Sequence, residues 1–140
     1  MAIRDARGWG RYAGTVLVGR MQAGVQRKAA IITVYAPCGA SSAATVRQNK
    51  GIAMAAAAGE VGIGGKSAFA VLLKDLYAEV TALRKRGITD FIIGGDFNAR
   101  HDGSARAWRQ LQCWRKKCGF GDVLRELHPN TDCSRLGDGA

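Results

Sequence analysis

Between Ser67 and Gly95 the sequence carries a pattern that few architectures accept, an amphipathic helix running almost directly into an apolar strand. Phe69, Leu72, Leu73, Leu76, Val80 and Leu83 recur at helical spacing, Ser67 stands where an N-cap belongs, and Arg84, Lys85 and Arg86 place cations at the negative end before Gly87 closes the pattern. Asp90 to Gly95 (DFIIGG) follows across a two-residue turn and is apolar on consecutive positions, the pattern of a strand buried on both faces. A helix feeding such a strand predicts an α/β fold. Upstream, Gly14 to Arg20 (GTVLVGR) and Lys28 to Tyr35 (KAAIITVY) are β-branched runs separated by a glycine-containing turn and stopped by Ala36-Pro37, so they read as a hairpin or as neighbours in one sheet.

The rest of the chain offers less to bury. Its 140 residues suit one domain, but 23 alanines and 19 glycines make three-tenths of it small, so the core is concentrated where the large apolar residues are. Residues 38–65 read accordingly as a small-residue-rich insertion or loosely packed loop, with an alanine-rich centre that forms at most a weak helix. Ser104 caps a basic helix from about Ala105 to Lys117 that sets Trp108, Leu111 and Trp114 on one side, Gly119 ends it, and a short helical segment, Asp122 to Leu127, leads to His128-Pro129. No run approaches the about 18–20 apolar residues of a membrane span, and the opening MAIRDARGWGR is charged where a signal peptide is apolar. The expectation is a soluble, intracellular protein with no membrane partner. Four cysteines without a CxxC pair read as reduced thiols.

Charge narrows the partners. Lys and Arg number 21 against 11 Asp and Glu, a net +10, and the excess is patchy. Residues 1–28 hold Arg4, Arg7, Arg11, Arg20, Arg27 and Lys28 against Asp5; residues 100–117 hold Arg100, Arg106, Arg109, Arg115, Lys116 and Lys117 against Asp102. Such patches favour a polyanion, although solvated faces are often basic as well.

The sharpest chemical feature is Gly94-Gly95-Asp96-Phe97-Asn98 at the end of the apolar strand. In extended backbone, residues two apart point the same way, which sets Asp96 and Asn98 on one face and leaves two bare glycines for something to approach. A carboxylate beside a neutral amide suits phosphodiester cleavage: the first orients or deprotonates a water, the second donates to a phosphate oxygen without adding charge. The pair also offers oxygens to a hard cation such as Mg²⁺. The same tripeptide read alone is equally a strand-to-loop turn in which both side chains satisfy backbone groups.

Tyr35-Ala36-Pro37, the amphipathic helix and then DFIIGGDFNARHDG resemble, in order and wording, the endonuclease/exonuclease/phosphatase superfamily, in which a strand ending in Tyr-x-Pro, a helix and a strand ending in Gly-Asp-x-Asn follow one another. The flavour of GDFNAR is that of retroelement and abasic-site endonucleases. The resemblance covers about residues 10 to 128 and implies an αββα sandwich, present here in part. It implies a nuclease that uses Mg²⁺ or Mn²⁺ and acts on nucleic acid, DNA foremost. Asp96 would align or activate the attacking water, Asn98 would hold a phosphate oxygen or a metal-bound water, and Tyr35 would donate toward the phosphate. Asp96 and Asn98 would be the metal residues, and Arg100 and His101, next on the loop, would touch neighbouring backbone phosphates.

Two parts of the family pattern have no counterpart. The acid and the asparagine on strands before Tyr-x-Pro are missing, since the only earlier acid is Asp5, in an arginine-rich stretch with no strand behind it. The closing Ser-Asp-His strand is missing too; Ser134-Arg135-Leu136-Gly137-Asp138 is one residue too long for the Ser-Arg-x-Asp variant. The expectation is a single partial domain over residues 1–140, lacking its first strands and its C-terminal strand, of doubtful activity by itself, with apolar sheet surface exposed or covered by another chain. The competing function is a noncatalytic basic nucleic-acid-binding protein, and a phosphatase of small soluble phosphates is disfavoured by the charge. Gly62 to Ser67 fails as a phosphate-binding loop, because Glu60 stands where its first glycine belongs. Cys113, Cys118, His128 and Cys133 do not have zinc-site spacing.

Overall fold

The hairpin forms as its sequence dictates. In the computed structural model, which describes residues 1–39, 41–99 and 105–127, strands β2 (Tyr12–Gln22) and β3 (Val25–Tyr35) pair antiparallel from Tyr12↔Val34 to Gln22↔Val25. Their two-residue connection takes left-handed backbone at both positions, Ala23 (φ 50°) and Gly24 (φ 75°), the twist that suits a tight hairpin. A short strand, β1 (Ala2–Arg4), lies antiparallel on the outer side of β2 with Ile3 opposite Gly14. This corrects the reading that no strand stands behind Asp5: three residues with one apolar side chain leave almost no periodic signal.

After β3 the chain crosses through two helices, α1 (Ala43–Ala57) and α2 (Ala68–Lys85), and returns as β4 (Asp90–Asp96), parallel to β3 from Ala29↔Asp90 to Tyr35↔Asp96. The sheet order is β1-β2-β3-β4, a four-stranded mixed sheet, so the protein belongs to the α/β class. Helix α2 starts where Ser67 Oγ accepts the Ala70 N–H at 3.2 Å, and its first residue past the cap, Gly87, is left-handed at φ 83°. Its stripe of Val71, Leu72, Leu73, Leu76, Val80 and Leu83 is buried together with Ile3, Tyr12, Ala30, Ile32 and Val34 from one face of the sheet. Each large side chain removed from water there contributes about 1.5–3 kcal/mol, and this core sets the register of β4 beside β3.

Residues 43–57, expected to form at most a weak helix within a loosely packed stretch, are a capped helix of 15 residues. Ser42 caps them by accepting the Thr45 N–H at 3.2 Å, and Ile52 is buried with Ile63, Ala68 and Val71, against which Trp9, Ala55 and Ala56 also pack. Small residues are the means of docking here: a Cβ on Gly51 would stand 3.2 Å from Trp9 Cζ2, so the helix approaches the indole by lacking side chain.

Strand β4 is not covered on both faces. Ile92 is 64% exposed, and Leu17 and Tyr35 on the same face are 50% and 55% exposed, while Ala30 and Ile32 on the other face are buried. Consecutive apolar residues concealed an alternation in which one face carries the core and the other remains apolar but open.

The chain divides into two units, Met1–Asn98 and Ala99–Ala140. In the second, α3 (Ala105–Cys118) buries Trp114 and Cys118, half-buries Trp108 and Leu111, and ends at Gly119 (φ 75°). Trp114 meets Phe120 edge-on at 5.8 Å, Arg115 Nη1 donates to the Phe120 carbonyl at 2.8 Å, and from α4 (Val123–Leu127) the Arg125 guanidinium lies 4.7 Å over the Trp108 ring. Cys113 is exposed while Cys118 is buried, so the two thiols face different ways. Ser104, the expected cap of α3, lies outside the described residues.

Candidate functional site

Parallel pairing in register decides which side chains meet at the carboxyl ends of β3 and β4. Because Ala30, Ile32 and Val34 face the core, their alternates face the open side, and the pairing Tyr35↔Asp96 sets these two side by side on it. Ligands of open α/β sheets gather at the carboxyl ends of parallel strands, and this is the sheet's one parallel pair among the described residues. The two glycines behave differently. Gly94 has open space where a Cβ would point, leaving the surface beside Asp96 bare; Gly95 holds φ 134°, and a Cβ there would overlap the Val34 carbonyl of β3. Only the first leaves room for an approaching group.

The shared face expected of Asp96 and Asn98 rests on extended backbone, and the backbone is not extended there. Strand β4 ends at Asp96 and Asn98 is left-handed at φ 48°. The Asn98 N–H donates to Asp96 Oδ1 at 2.9 Å, an Asx turn, and Asn98 Nδ2 donates to the Ala36 carbonyl at 2.9 Å. Asp96 and Asn98 are therefore neighbours through a turn and not through strand alternation. The amide nitrogen is tied to the end of β3, which leaves its oxygen as the polar atom on offer. Asp96 is exposed, and among the described residues its Oδ2 accepts no hydrogen bond.

Behind Tyr35 stands a cation that the sequence reading counted only as part of a basic patch. Arg11 is 6% exposed; its guanidinium lies 5.8 Å from the Tyr35 ring and reaches the Tyr35 carbonyl at 3.5 Å through Nη1, and its own carbonyl accepts the Tyr35 N–H at 2.8 Å. The loop that carries it is fixed by Asp5, whose two oxygens accept the Arg7 and Arg11 N–H groups at 2.9 Å each. Arg7 in turn forks onto two carboxylates, Asp75 of α2 at 2.5 and 3.0 Å and Glu60 at 2.6 and 3.1 Å. Hydrogen bonding to Glu60 and Asp75 raises the Arg7 pKa further above its ordinary range, and the bond from Arg7 lowers that of Glu60.

A cavity of about 530 Å³ opens beside this loop, lined by Gly8, Trp9, Gly10 and Arg11, by Tyr35 at the end of β3, and by Ala44, Arg47 and Gln48 of α1. Arg11 Nε and Gln48 Oε1 are buried and have no hydrogen-bond partner among the described residues. Leaving such groups unmet costs about 1–3 kcal/mol apiece. The sequence reading missed Trp9, Arg47 and Gln48, which come from two segments far apart in the chain, one of them assigned to a loop.

For a divalent cation, Asp96 Oδ2 and Asn98 Oδ1 are the oxygens available. They fit Mg²⁺ as a partial donor set, since that ion takes one or two carboxylates and completes its shell with waters and phosphate oxygens. No group of three His, Cys, Asp or Glu side chains that could hold a metal occurs among the described residues. Asp5 adds nothing to the set, both its oxygens being engaged by backbone. Arg100 and His101 lie outside the described residues, as do His128 and the stretch from Ser134 to Asp138. Among the described residues no helix is long and apolar enough to cross a membrane. Comparison with protein-family models, with curated proteins and with solved structures finds no match to this chain.

Proposed function

We propose that this chain is the helix-backed half of an αββα sandwich of the endonuclease/exonuclease/phosphatase type, and that its site serves Mg²⁺-dependent hydrolysis of phosphodiester bonds in nucleic acid. The observation that carries the reading is the in-register pair Tyr35↔Asp96 at the carboxyl ends of two parallel strands, on an open face, with an Asp96 oxygen that accepts no hydrogen bond among the described residues. The exposed apolar residues Leu17 and Ile92 on that face are what a second sheet would cover. Within the site, Asp96 orients a water for in-line attack, the Tyr35 hydroxyl donates to a non-bridging phosphate oxygen, and Arg11 keeps the surroundings of Tyr35 positive as charge builds on the phosphate. Asp96 and Asn98 would hold Mg²⁺ or Mn²⁺, which supplies charge neutralisation when bound.

A second reading, a noncatalytic nucleic-acid-binding protein, is favoured by one observation, that a single carboxylate stands at the site and no three-ligand group accompanies it among the described residues. Nicking of supercoiled plasmid separates the two. The hydrolase gives Mg²⁺- or Mn²⁺-dependent nicking that EDTA and Asp96→Asn both abolish. Salt-dependent binding with no metal-dependent nicking, and unaffected by Asp96→Asn, establishes the binder.

A further inference from the structure

We propose, taking the nucleic-acid partner from the reading above but none of its chemistry, that the far end of the β2–β3 hairpin is an arm that enters the major groove of duplex DNA. The arm is what remains of two 11-residue strands beyond the sheet. Toward the hairpin turn, β1 pairs with β2 only as far as Thr15, and β4 begins its pairing at Ala29 of β3, so Val18 to Lys28 has no third strand among the described residues. Every residue from Leu17 to Arg27 is exposed, and the ribbon stands clear of the core on both faces. The stretch from Val18 to Gln22 carries it about 16 Å outward. Gly19 and Arg20 of β2 stand opposite Arg27 alone, a bulge that adds right-handed twist, and a Cβ on Gly19 would press on the Arg27 carbonyl at 3.3 Å.

Charge and its placing select the partner. Residues 6–59 contain no acid, and the arm carries Arg20, Arg27 and Lys28. Among the described residues the arm's only ion pair is Arg27 with Asp90, at 3.7 Å and open to solvent. The tip differs from what stands behind it. Ala23 and Gly24 make it narrow, and beside them are two amides on opposite faces, Gln22 across from Val25 and Gln26 across from Met21. Neutral amides at the tip with cations behind them match a groove, whose floor presents base edges and whose rims are phosphates. The exposed Met21 and Val25 offer the apolar contact that a thymine methyl takes. A membrane would draw in those two side chains but would have to bury both amides with them. The major groove of B-form DNA, about 12 Å wide, admits a two-stranded ribbon, whereas that of A-form RNA is too narrow for side chains to read. Val25 and Tyr35 lie about 33 Å apart along β3, so the arm is separate from the Tyr35 and Asp96 site.

The test is fluorescence anisotropy of the whole chain with a labelled DNA duplex of about 20 base pairs, across a salt series and in EDTA so that no cleavage intervenes. An RNA duplex of the same sequence and vesicles of phosphatidylserine with phosphatidylcholine are the comparisons. Expected is saturable binding that prefers DNA to RNA by about tenfold or more. Arg20→Gln, Arg27→Gln and Lys28→Gln together should weaken DNA by about tenfold or more and make log K against log salt shallower by about 2–3, one phosphate contact per cation. Gln22→Ala with Gln26→Ala should weaken DNA at an unchanged salt slope, because amides at base edges release no counterions. In the unaltered chain, hydrogen exchange over residues 18–28 should slow when duplex is added, a readout that needs no variant to fold. The proposal is overturned by a folded cation variant that binds within about twofold at the same slope, by an amide variant of unchanged affinity, by RNA bound as tightly as DNA, by unchanged exchange over residues 18–28, or by vesicles that engage the arm in place of DNA. DNA binding indifferent to the arm, beside metal-dependent nicking, removes the arm alone; arm-dependent binding without nicking removes the hydrolase alone.

Discussion

Gly95→Ala tests the pairing on which the whole site depends, and Gly94→Ala, one residue away, is its control. At Gly95 an alanine must hold φ 134°, a conformation that costs a residue with a side chain about 1–3 kcal/mol. Its Cβ would also stand 2.8 Å from the Val34 nitrogen and overlap the Val34 carbonyl, both of them backbone of β3, so relief requires β4 to move away from its partner. The combined cost is about 3 kcal/mol or more, a large share of the 5–15 kcal/mol that holds a domain of this size. At Gly94 nothing lies within 4 Å of the added methyl and no left-handed backbone is involved, so alanine there is neutral or stabilises by up to about 1 kcal/mol through the unfolded chain. Urea unfolding followed by far-UV circular dichroism reads both from the shift in midpoint at constant slope. A Gly95→Ala variant within about 1 kcal/mol of Gly94→Ala would refute the register of β3 with β4, and with it the placing of Asp96 beside Tyr35. The control has a second use, since its methyl stands on the open face beside Asp96: lower plasmid nicking at unchanged stability locates the approach of substrate over Gly94.

The Arg7 clamp makes the protein acid-sensitive in a defined window. Glu60 has its pKa lowered in the folded state from an ordinary 4.5, so the stabilisation it provides is complete above that value and fades as pH falls through the lower folded value. The melting temperature should therefore fall as pH drops below 4.5, and fall less in Glu60→Gln; equal slopes in the two proteins refute the assignment. Arg7→Met should cost more than the about 0–1 kcal/mol of an exposed ion pair, because it removes two hydrogen bonds to the largely buried Asp75 as well, and chemical denaturation measures it. The open sheet face should make stability depend on protein concentration: melts across a hundredfold dilution are expected to shift, and a sharp midpoint that does not move, with a monomeric mass by sedimentation, would show that the face needs no cover.

What the sequence revealed and what it concealed follow from the range over which each element is specified. Helix α2 and strands β2 and β3 carry their own pattern and caps, so Ser67, Leu76, Gly87 and the hairpin were legible one segment at a time, while β4 was legible as a strand but not in its open face. Helix α1 was not, because it docks by absence: Gly51 approaches Trp9, and a sequence of small residues looks the same whether or not an indole lies 42 positions upstream. The site divides along the same line. Tyr35 and Asp96 end recognisable strands and the register sets them side by side, whereas the strand alternation invoked for Asn98 fails where its backbone turns left-handed. The cavity's lining residues Trp9, Arg11 and Gln48 come from a loop and a helix far apart in the chain and have no local signature at all.

The β1–β2 loop ties these observations into one device. Asp5 holds the backbone of Arg7 and Arg11, Arg7 anchors the loop to α2 through Asp75 and to Glu60, and the Arg11 carbonyl fixes the Tyr35 N–H at the end of β3. Asp5 thus has each carboxylate oxygen bonded to a backbone N–H of its own loop, which gives it a structural role there. The same arrangement gives two arginines of a stretch that looked like a phosphate-gripping patch separate structural roles: Arg7 is neutralised by two carboxylates and Arg11 is buried behind Tyr35. Counting charges along the chain therefore overstates the cationic surface at this end, which depends on where each guanidinium is held.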